Sequence, residues 1–369
     1  MTEIINIAII AGQLVVGGAE RQLYLWLANM DRSRFNPIVL TLHPGYEDYW
    51  EAPIENLGIP LFRVQRRKNP LVRLYEIISI LRRHHPALLH GWHTFASAYA
   101  GVSCKFIGAK SLGGIRSSFQ AIDNTWEERL TRWFCDSVLT NSTPTAAAYK
   151  QKLNTNRQAV FTVPNAVETQ FDDRSTARLH LSETFGLPKD HIWIASMGRM
   201  DPLKRFDLLL KVAIKFKAEA AKVHFILVGD GPEKHTLESL SQKLNLEDCV
   251  TFTGEVPNAS RWMKAFDIFC FPSVDEGLPN VVLEAGAAGL PIVAWQLPFN
   301  QALLIDQESA LLINQGDFEG FTAALSRLIN SPSLRMQLGA AAQGHILPNF
   351  SLENYVHQMT AVYEAVLAI

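Results

Sequence analysis

Four residues in the second half of the chain have types and spacings suited to a phosphorylated sugar: Arg199, Lys204, Glu276 and Glu284. Arg199 and Lys204 lie five positions apart in "MGRMDPLKRFDLLL", between a strand that ends at Gly198 and a helix. Arginine offers a forked donor and lysine a compact charge, so two such cations at the mouth of a strand suit a diphosphate. Surface ion pairs with Asp201 or Asp207 explain the same motif equally well. The acids stand eight apart in "FPSVDEGLPNVVLEAGAAGLPIVAW". Glu284 falls in "VVLEAGAAGL", apolar on nearly all sides, where a carboxylate is costly unless hydrogen-bonded. Ribose and hexose hydroxyls would supply those bonds. A helix-dipole role accounts for one acid but poorly for both. A glycosidase pair, with carboxylates roughly 5–10 Å apart, would have no use for neighbouring phosphate-binding loops.

The segment between the acids reads as a helix that Pro279 or Asn280 begins and Gly289 with Pro291 ends. Its start at Asn280–Val281 can meet a phosphate through free N–H groups. Other loops offer weaker signals. In "GQLVVGGAERQ", Gly17 and Gly18 precede a helix and permit close backbone approach, although a tight turn reads the same. The loop is neither GxGxxG nor GxxxxGK[ST], so dinucleotide and NTPase readings lose support. "LVGDGPE" places Gly229 and Gly231 after a strand, and "FTGEVPN" offers main-chain groups near Val256 for a base.

These loops need strands to carry them. Apolar runs near Asn6–Ala11, Pro37–Thr41, Ala87–His90, Lys110–Gly113, Ser137–Thr140 and Ala159–Val163 alternate with helical patterns such as Ala19–Met30 and Leu71–Arg83. A second series runs through Ile192–Met197, His224–Val228, Val250–Thr253, Ile268–Phe271, Ile292–Ala294 and Ala310–Ile313. The alternation predicts an α/β chain with two doubly wound parallel sheets, one per half. The boundary is expected at "VPNAVETQF", giving domains 1–167 and 168–350. A final helix in 351–369, with Ser351 as N-cap and Val356, Met359, Val362 and Val366 on one face, is expected to return to the first domain. Ligands of such sheets bind at the C-terminal ends of the strands, here in a shared cleft.

The 369 residues, 48% apolar and 19% charged, describe a globular protein of two domains. No apolar run approaches the roughly 18 residues of a membrane span. "MTEIINIAIIAG" lacks a basic n-region and a cleavage site, so it is expected to be a first strand. Cys104, Cys135, Cys249 and Cys270 have no metal spacing, and Cys270 falls within a strand pattern. His90 and His93 are three apart without a nearby carboxylate or Cys, so no metal is expected. Residues 1–167 hold 18 Lys/Arg against 12 Asp/Glu, and the remainder 16 against 24. The basic half, with clusters at Arg66–Lys68 and Arg82–His85, suits an anionic acceptor or a membrane surface. Solvated helix faces explain these clusters as well.

"EGLPNVVLEAGAAGLPIVA" resembles the E-x7-E signature of retaining nucleotide-sugar glycosyltransferases of the GT-B fold, family four. "GGAERQL", "HGWHT", "VPNAV", "GRMDPLKRFD", "VGDGPE" and "FSLENYVHQM" also fit, so the likeness extends across most of the chain. The resemblance implies two Rossmann-like domains with parallel sheets facing a deep interdomain cleft. It implies that Arg199 and Lys204 bind the donor diphosphate, Glu284 the ribose, and Glu276 the transferred sugar with main-chain help from Gly277 and Leu278. Amides near Pro279, Asn280, Val281, Gly17 and Gly18 would meet phosphates, and His93 the donor sugar. His90 lies within the strand pattern and is the lesser choice. Asn165 belongs to the interdomain loop, Gly198 and Gly229 to the donor loops, and Arg116 in "GGIRSS" is an added cation. Arg205 stands where the family usually has Gly, and "QLPFNQALLIDQESALLI" lacks the family's Gly-Gly and Glu.

The expected reaction is retaining transfer of a hexose, with no cofactor or metal. UDP-hexoses are the family's commonest donors, so UDP-glucose is the expected donor. The acceptor class is a glycan or a lipid-linked oligosaccharide, in polysaccharide biosynthesis. The expected location is cytoplasmic, with a peripheral contact at the inner membrane face and no nucleic acid partner. A nucleotide-sugar epimerase or hydrolase is the alternative on the same fold. A dehydrogenase is disfavoured by the absent GxGxxG, and a non-catalytic sugar-binding module by the joint presence of the four charged residues.

Overall fold

A computed structural model describes residues 4–43, 48–64, 69–118, 120–154 and 158–369. The basic run Arg66–Lys68 lies outside the described residues. The chain forms two compact units, one of Met1–Ala166 with Leu352–Ile369 and one of Val167–Ser351.

The first unit holds β1 (Ile5–Ala11), β2 (Phe35–Thr41), β3 (Leu61–Arg63), β4 (Leu88–Gly91), β5 (Lys110–Ile115), β6 (Ser137–Thr140) and β7 (Ala159–Thr162). They pair in parallel in the order β3-β2-β1-β4-β5-β6-β7. Parallel strands are joined by helical crossovers that cover both faces, which is why they read as continuous apolar runs. In β1, Ile7 through Ala11 are all buried. The edge strand β3 was not expected. None of its three residues is buried, so no apolar run marks it, and Arg63 fastens it to Glu51 (2.9 Å) and Glu55 (3.0 Å).

The second unit repeats the plan. Its strands are β8 (Ile192–Met197), β9 (Val223–Val228), β10 (Val250–Gly254), β11 (Ile268–Phe271), β12 (Ile292–Trp295) and β13 (Leu311–Ile313). Their order is β10-β9-β8-β11-β12-β13, again parallel. In each unit the chain winds outward on one side, then returns to wind the other way. The reversal falls between β1 and β4 in the first unit and between β8 and β11 in the second. At such a switch point the two flanking loops diverge and leave a crevice at the C-terminal strand ends.

The last helix, Leu352–Leu367, belongs to the first unit. It buries Tyr355, Met359, Val362, Tyr363 and Val366, each worth roughly 1.5–3 kcal/mol when fully removed from water. Val356 is half-buried at the edge of this face, and two tyrosines complete it. The Tyr363 ring meets Trp26 and Phe35 edge-on, and its hydroxyl accepts from Trp26 Nε1 at 3.0 Å.

Candidate functional site

In the second unit, β8 leads at Gly198 into a loop that ends in the 3₁₀ turn Pro202–Lys204. Asp201 caps that turn, its side chain accepting from the Leu203 N–H at 3.0 Å. The loop is laced to the loop after β9. Gly198 N–H donates to Val228 O (3.0 Å), Met200 N–H to Asp230 O (2.8 Å) and Glu233 N–H to Met200 O (2.9 Å). A Cβ on Gly229 would stand 2.0 Å from the Gly198 carbonyl oxygen, so this crossing of backbones itself requires glycine. The Gly229 N–H in turn donates to Gly254 O at 2.9 Å, at the end of β10. Val256 follows, half-buried.

This lacing leaves Arg199 exposed, its carbonyl accepting from the Asp201 N–H at 2.9 Å and its side chain without a hydrogen bond or ion pair among the described residues. Lys204 turns inward and pairs with the carboxylate of Glu276, the two side chains being 20% and 17% exposed. The buried Ser273 hydroxyl lies 3.3 Å from Glu276 Oε1 and 3.3 Å from Leu203 O. The Val274 N–H also donates to Leu203 O, at 2.9 Å. The loops after β8 and β11 are thereby tied together across the switch point.

Neither Asp201 nor Asp207 takes Lys204, so the surface-pair explanation fails for this lysine. Asp207 instead holds Arg205 through two bonds (2.9 and 3.1 Å) and Lys211 at 3.4 Å. Arg205 adopts the left-handed backbone region (φ 54°) that favours glycine. Its charge is thus directed to Asp207 rather than to Glu276.

The helix Asn280–Ala287 starts beyond Glu276, with Pro279 in extended conformation before it. Gly277, Leu278 and Pro279 are buried, and Asn280 and Val281 are half-buried. Glu284 sits one turn inside and is 6% exposed, between buried Leu283 and Ala285. Beyond Trp295 the segment without the Gly-Gly closes on itself, the Asn300 side chain donating to Trp295 O at 2.9 Å.

In the first unit the loop after β1 leads into the helix Gly18–Asn29, and His93 follows β4 by two residues. His93 Nε2 lies 3.1 Å from Glu20 Oε1, the side chains being 26% and 13% exposed. A Cβ on Gly17 would stand 2.2 Å from Glu20 Oε2, so glycine there makes room for the folded-back carboxylate. An anion thus already rests at this helix start, where the sequence suggests a phosphate. Gly18 next to it is exposed. Trp92 donates its indole N–H to Ala19 O at 2.8 Å. Arg116, past the end of β5, stacks over the Trp92 ring at 3.8 Å and donates to Asn165 Oδ1 at 3.2 Å. Asn165 is buried.

His90, in β4, is buried with Nδ1 2.9 Å from the Tyr363 hydroxyl. Burial, aided by the nearby Arg116 charge, pushes its pKa well below the usual imidazole value. His90 is a core residue, whereas the His93 side chain is 26% exposed. Among the described residues no group of three His, Cys, Asp or Glu is arranged to hold a metal ion. The sequence reading missed Glu20, Ser273 and Trp92. The acid was visible in "GGAERQ", but its partner lies 73 residues away, and only the pairing of β1 with β4 brings them together.

The sequence model of "Glycosyltransferase Family 4" matches residues 16–171, and that of "Glycosyl transferases group 1" matches residues 179–345. The chain is 29% identical over 338 residues to the lipopolysaccharide core biosynthesis glycosyltransferase LpsD of Rhizobium meliloti, covering 91% of each. Its fold matches that of Anabaena HepE, solved in complex with UDP-glucose, with a TM-score of 0.84 at 18% identity over 98% of this chain and 99% of that one. It also matches sucrose-phosphate synthase of Thermosynechococcus elongatus, with a TM-score of 0.81 at 20% identity over 99% of each chain. Fold and matched regions together define a GT-B glycosyltransferase. The family 4 region falls almost wholly in the first unit and the group 1 region in the second, and with the glycosyltransferase relatives they support a GT-B group 1 glycosyltransferase.

Proposed function

We propose that this chain transfers a hexose, with retention, from a nucleoside-diphosphate sugar to a glycan or lipid-linked acceptor, and that UDP-glucose is the donor. The observation that carries this reading is the Lys204–Glu276 pair at the switch point of the second unit, beside an exposed and unpaired Arg199. A lysine paired with an acid, with a second cation exposed on the same loop as the lysine, suits a ligand with a diphosphate at one end and hydroxyls at the other. Lys204 and Arg199 neutralise the departing diphosphate, Glu276 accepts from the sugar hydroxyls, and Glu284 accepts from the ribose. His93 of the first unit meets the transferred sugar. The acceptor hydroxyl attacks on the face the diphosphate leaves, and the leaving phosphate takes its proton. Fixed cations and the start of the helix Asn280–Ala287 supply the charge stabilisation, so the reaction needs no metal.

No described helix is long and apolar enough to cross a membrane. The helix Pro70–His84 exposes Leu71, Val72 and Tyr75 at one end and Arg82 and Arg83 at the other, which supports a peripheral contact with an anionic surface. One assay tests the whole reading. UDP-, GDP- and ADP-sugars are compared by thermal shift, and the strongest stabiliser is then turned over in EDTA with acceptors in solution or on anionic vesicles. The expectation is UDP-glucose first, product with the donor's anomeric configuration, and faster transfer to vesicle-borne acceptor. Consumption of donor to free or epimerised sugar without transfer would replace the transferase with a hydrolase or epimerase.

A further inference from the structure

We infer that Glu20 is a positioning residue for His93, fixing both the orientation of its imidazole and the nitrogen that carries the proton. The inference rests on the reading above that His93 meets the transferred sugar. Two adjacent residues after β4 engage two adjacent residues of the helix Gly18–Asn29. Trp92 donates to Ala19 O at 2.8 Å, and His93 Nε2 lies 3.1 Å from Glu20 Oε1. The Trp92 bond holds the β4 loop against the helix start, and the ring of His93 cannot turn without giving up its contact with Glu20. The stacking of Arg116 on Trp92 holds the same loop from its other side.

The environment of the second nitrogen sets the proton's place. His93 Nδ1 is buried and has no hydrogen-bond partner among the described residues, and it stands 4.0 Å from where a Cβ on Gly12 would be. With the proton on Nε2, the ring donates to Glu20 and leaves a lone pair on Nδ1. With the proton on Nδ1, a lone pair would face a carboxylate and an N–H would be buried without an acceptor. Both changes are unfavourable, so Glu20 selects the Nε2–H tautomer. Gly17 is part of the device, because any side chain there would collide with the Glu20 carboxylate. A loop glycine that reads as a phosphate contact in the sequence also lies against the Glu20 carboxylate.

The test is a double-mutant cycle read beside a spectroscopic signature. E20A is expected to lower kcat for sugar transfer about tenfold, less than the roughly 10²-fold of a 1 Å misplacement, while the donor KM stays within twofold. In an H93N background the same change should cost less than twofold. E20Q keeps a carbonyl acceptor at the same reach and should recover at least half of kcat. Histidine 15N NMR, with His93 assigned by its loss in H93N, should show Nε2–H in the wild type and in E20Q, and a mixture in E20A. Equal losses from E20A in both backgrounds, E20Q as impaired as E20A, or an Nδ1–H wild type would each overturn the inference. If E20A fails to fold, the wild-type tautomer and E20Q decide the matter. The NMR readout needs no donor, so a chain that turns over no nucleotide sugar would sink the proposed function while leaving the tautomer to be judged by itself.

Discussion

At the switch point of the first unit the first turn of the helix after β1 contributes the acid, Glu20, and the loop after β4 contributes the basic partner, His93. At the switch point of the second unit the polarity is reversed: the first loop contributes Lys204 and the loop after β11 contributes Glu276. The strand order through the reversal is the same in the two units, so the sheet does not choose the sign. The loop residues do. In the first unit the acid folds back beside Gly17 at the start of its own helix and faces His93. In the second unit the helix Asn280–Ala287 begins beyond the pair, and Arg199 stands exposed on the loop of Lys204, its side chain without a partner among the described residues. One switch point carries an acid on its first element, and the other carries a cation there with a second cation exposed on the same loop.

The sharpest way to break this contrast is Lys204→Ala. Removing a cation aimed at a departing diphosphate should lower kcat by about 10²–10³-fold, the range seen when one charge-stabilising donor is lost. Steady-state turnover with the preferred donor measures it, and Lys204→Arg should retain part of the rate because the charge remains. Turnover of K204A within a few-fold of wild type would remove Lys204 from the diphosphate and level the two switch points. The expected loss exceeds the tenfold effect of E20A because Lys204 is proposed to touch the ligand, whereas Glu20 acts through another residue.

What the sequence made legible follows from the range of the interactions. The buried parallel strands read as apolar runs, so twelve of them were visible and only the three-residue edge strand β3 was not. The spacing of Glu276 and Glu284 is local, set by one loop and one helical turn, and survives folding as written. The helix Leu352–Leu367 announced its face through Met359, Val362 and Val366, although Tyr355 and Tyr363 hid in it as polar letters. Contacts created by topology were silent. Glu20 meets His93 only because β1 neighbours β4, and Lys204 meets Glu276 only because β8 neighbours β11. Gly229 reads the same whether a ligand or another backbone approaches it, and here Gly198 O does.

The comparison extends to acid stability, because each unit buries a histidine in its sheet. Burial lowers both: His90 well below the usual value and His224, in β9, to about 4. His224 Nε2 lies 2.8 Å from Thr251 Oγ1, consistent with a neutral ring. A base with a folded pKa below its unfolded one leaves the unfolded state binding the extra proton. Stability is therefore lost as pH falls from about 6.5 towards 4, and for His224 the loss flattens below that. At 1.36 kcal/mol per unit, the His224 contribution is about 3 kcal/mol at most. Calorimetric melting of the wild type and of His224→Gln from pH 7 to pH 4 should show a shallower decline for the variant. An unchanged slope would mean that His224 is already protonated in the fold, or that the first unit's His90 dominates.

The smallest expected effect probes how the second pair is held. Ser273 carries a single hydroxyl proton, yet Leu203 O, Asp275 O and Glu276 Oε1 all lie within 3.3–3.5 Å of its oxygen. Three acceptors share one donor, so no single bond is strong, and the hydroxyl keeps the loop after β8 and Glu276 in register rather than fastening either firmly. Removing a shared bond of this kind costs about 1 kcal/mol, so Ser273→Ala should lower kcat/KM for the donor about fivefold. The rise should fall mainly on KM, because Glu276 is proposed to hold sugar hydroxyls. Melting should move little, since the change leaves a methyl group where a hydroxymethyl was. The decisive measurement is S273A combined with K204A. If the hydroxyl works by setting the Lys204–Glu276 pair, its loss costs much less once Lys204 is gone, because the pair no longer exists to be set. A full fivefold loss in that background would place the action of Ser273 elsewhere, and the loop after β11 would then hold Glu276 by its backbone alone.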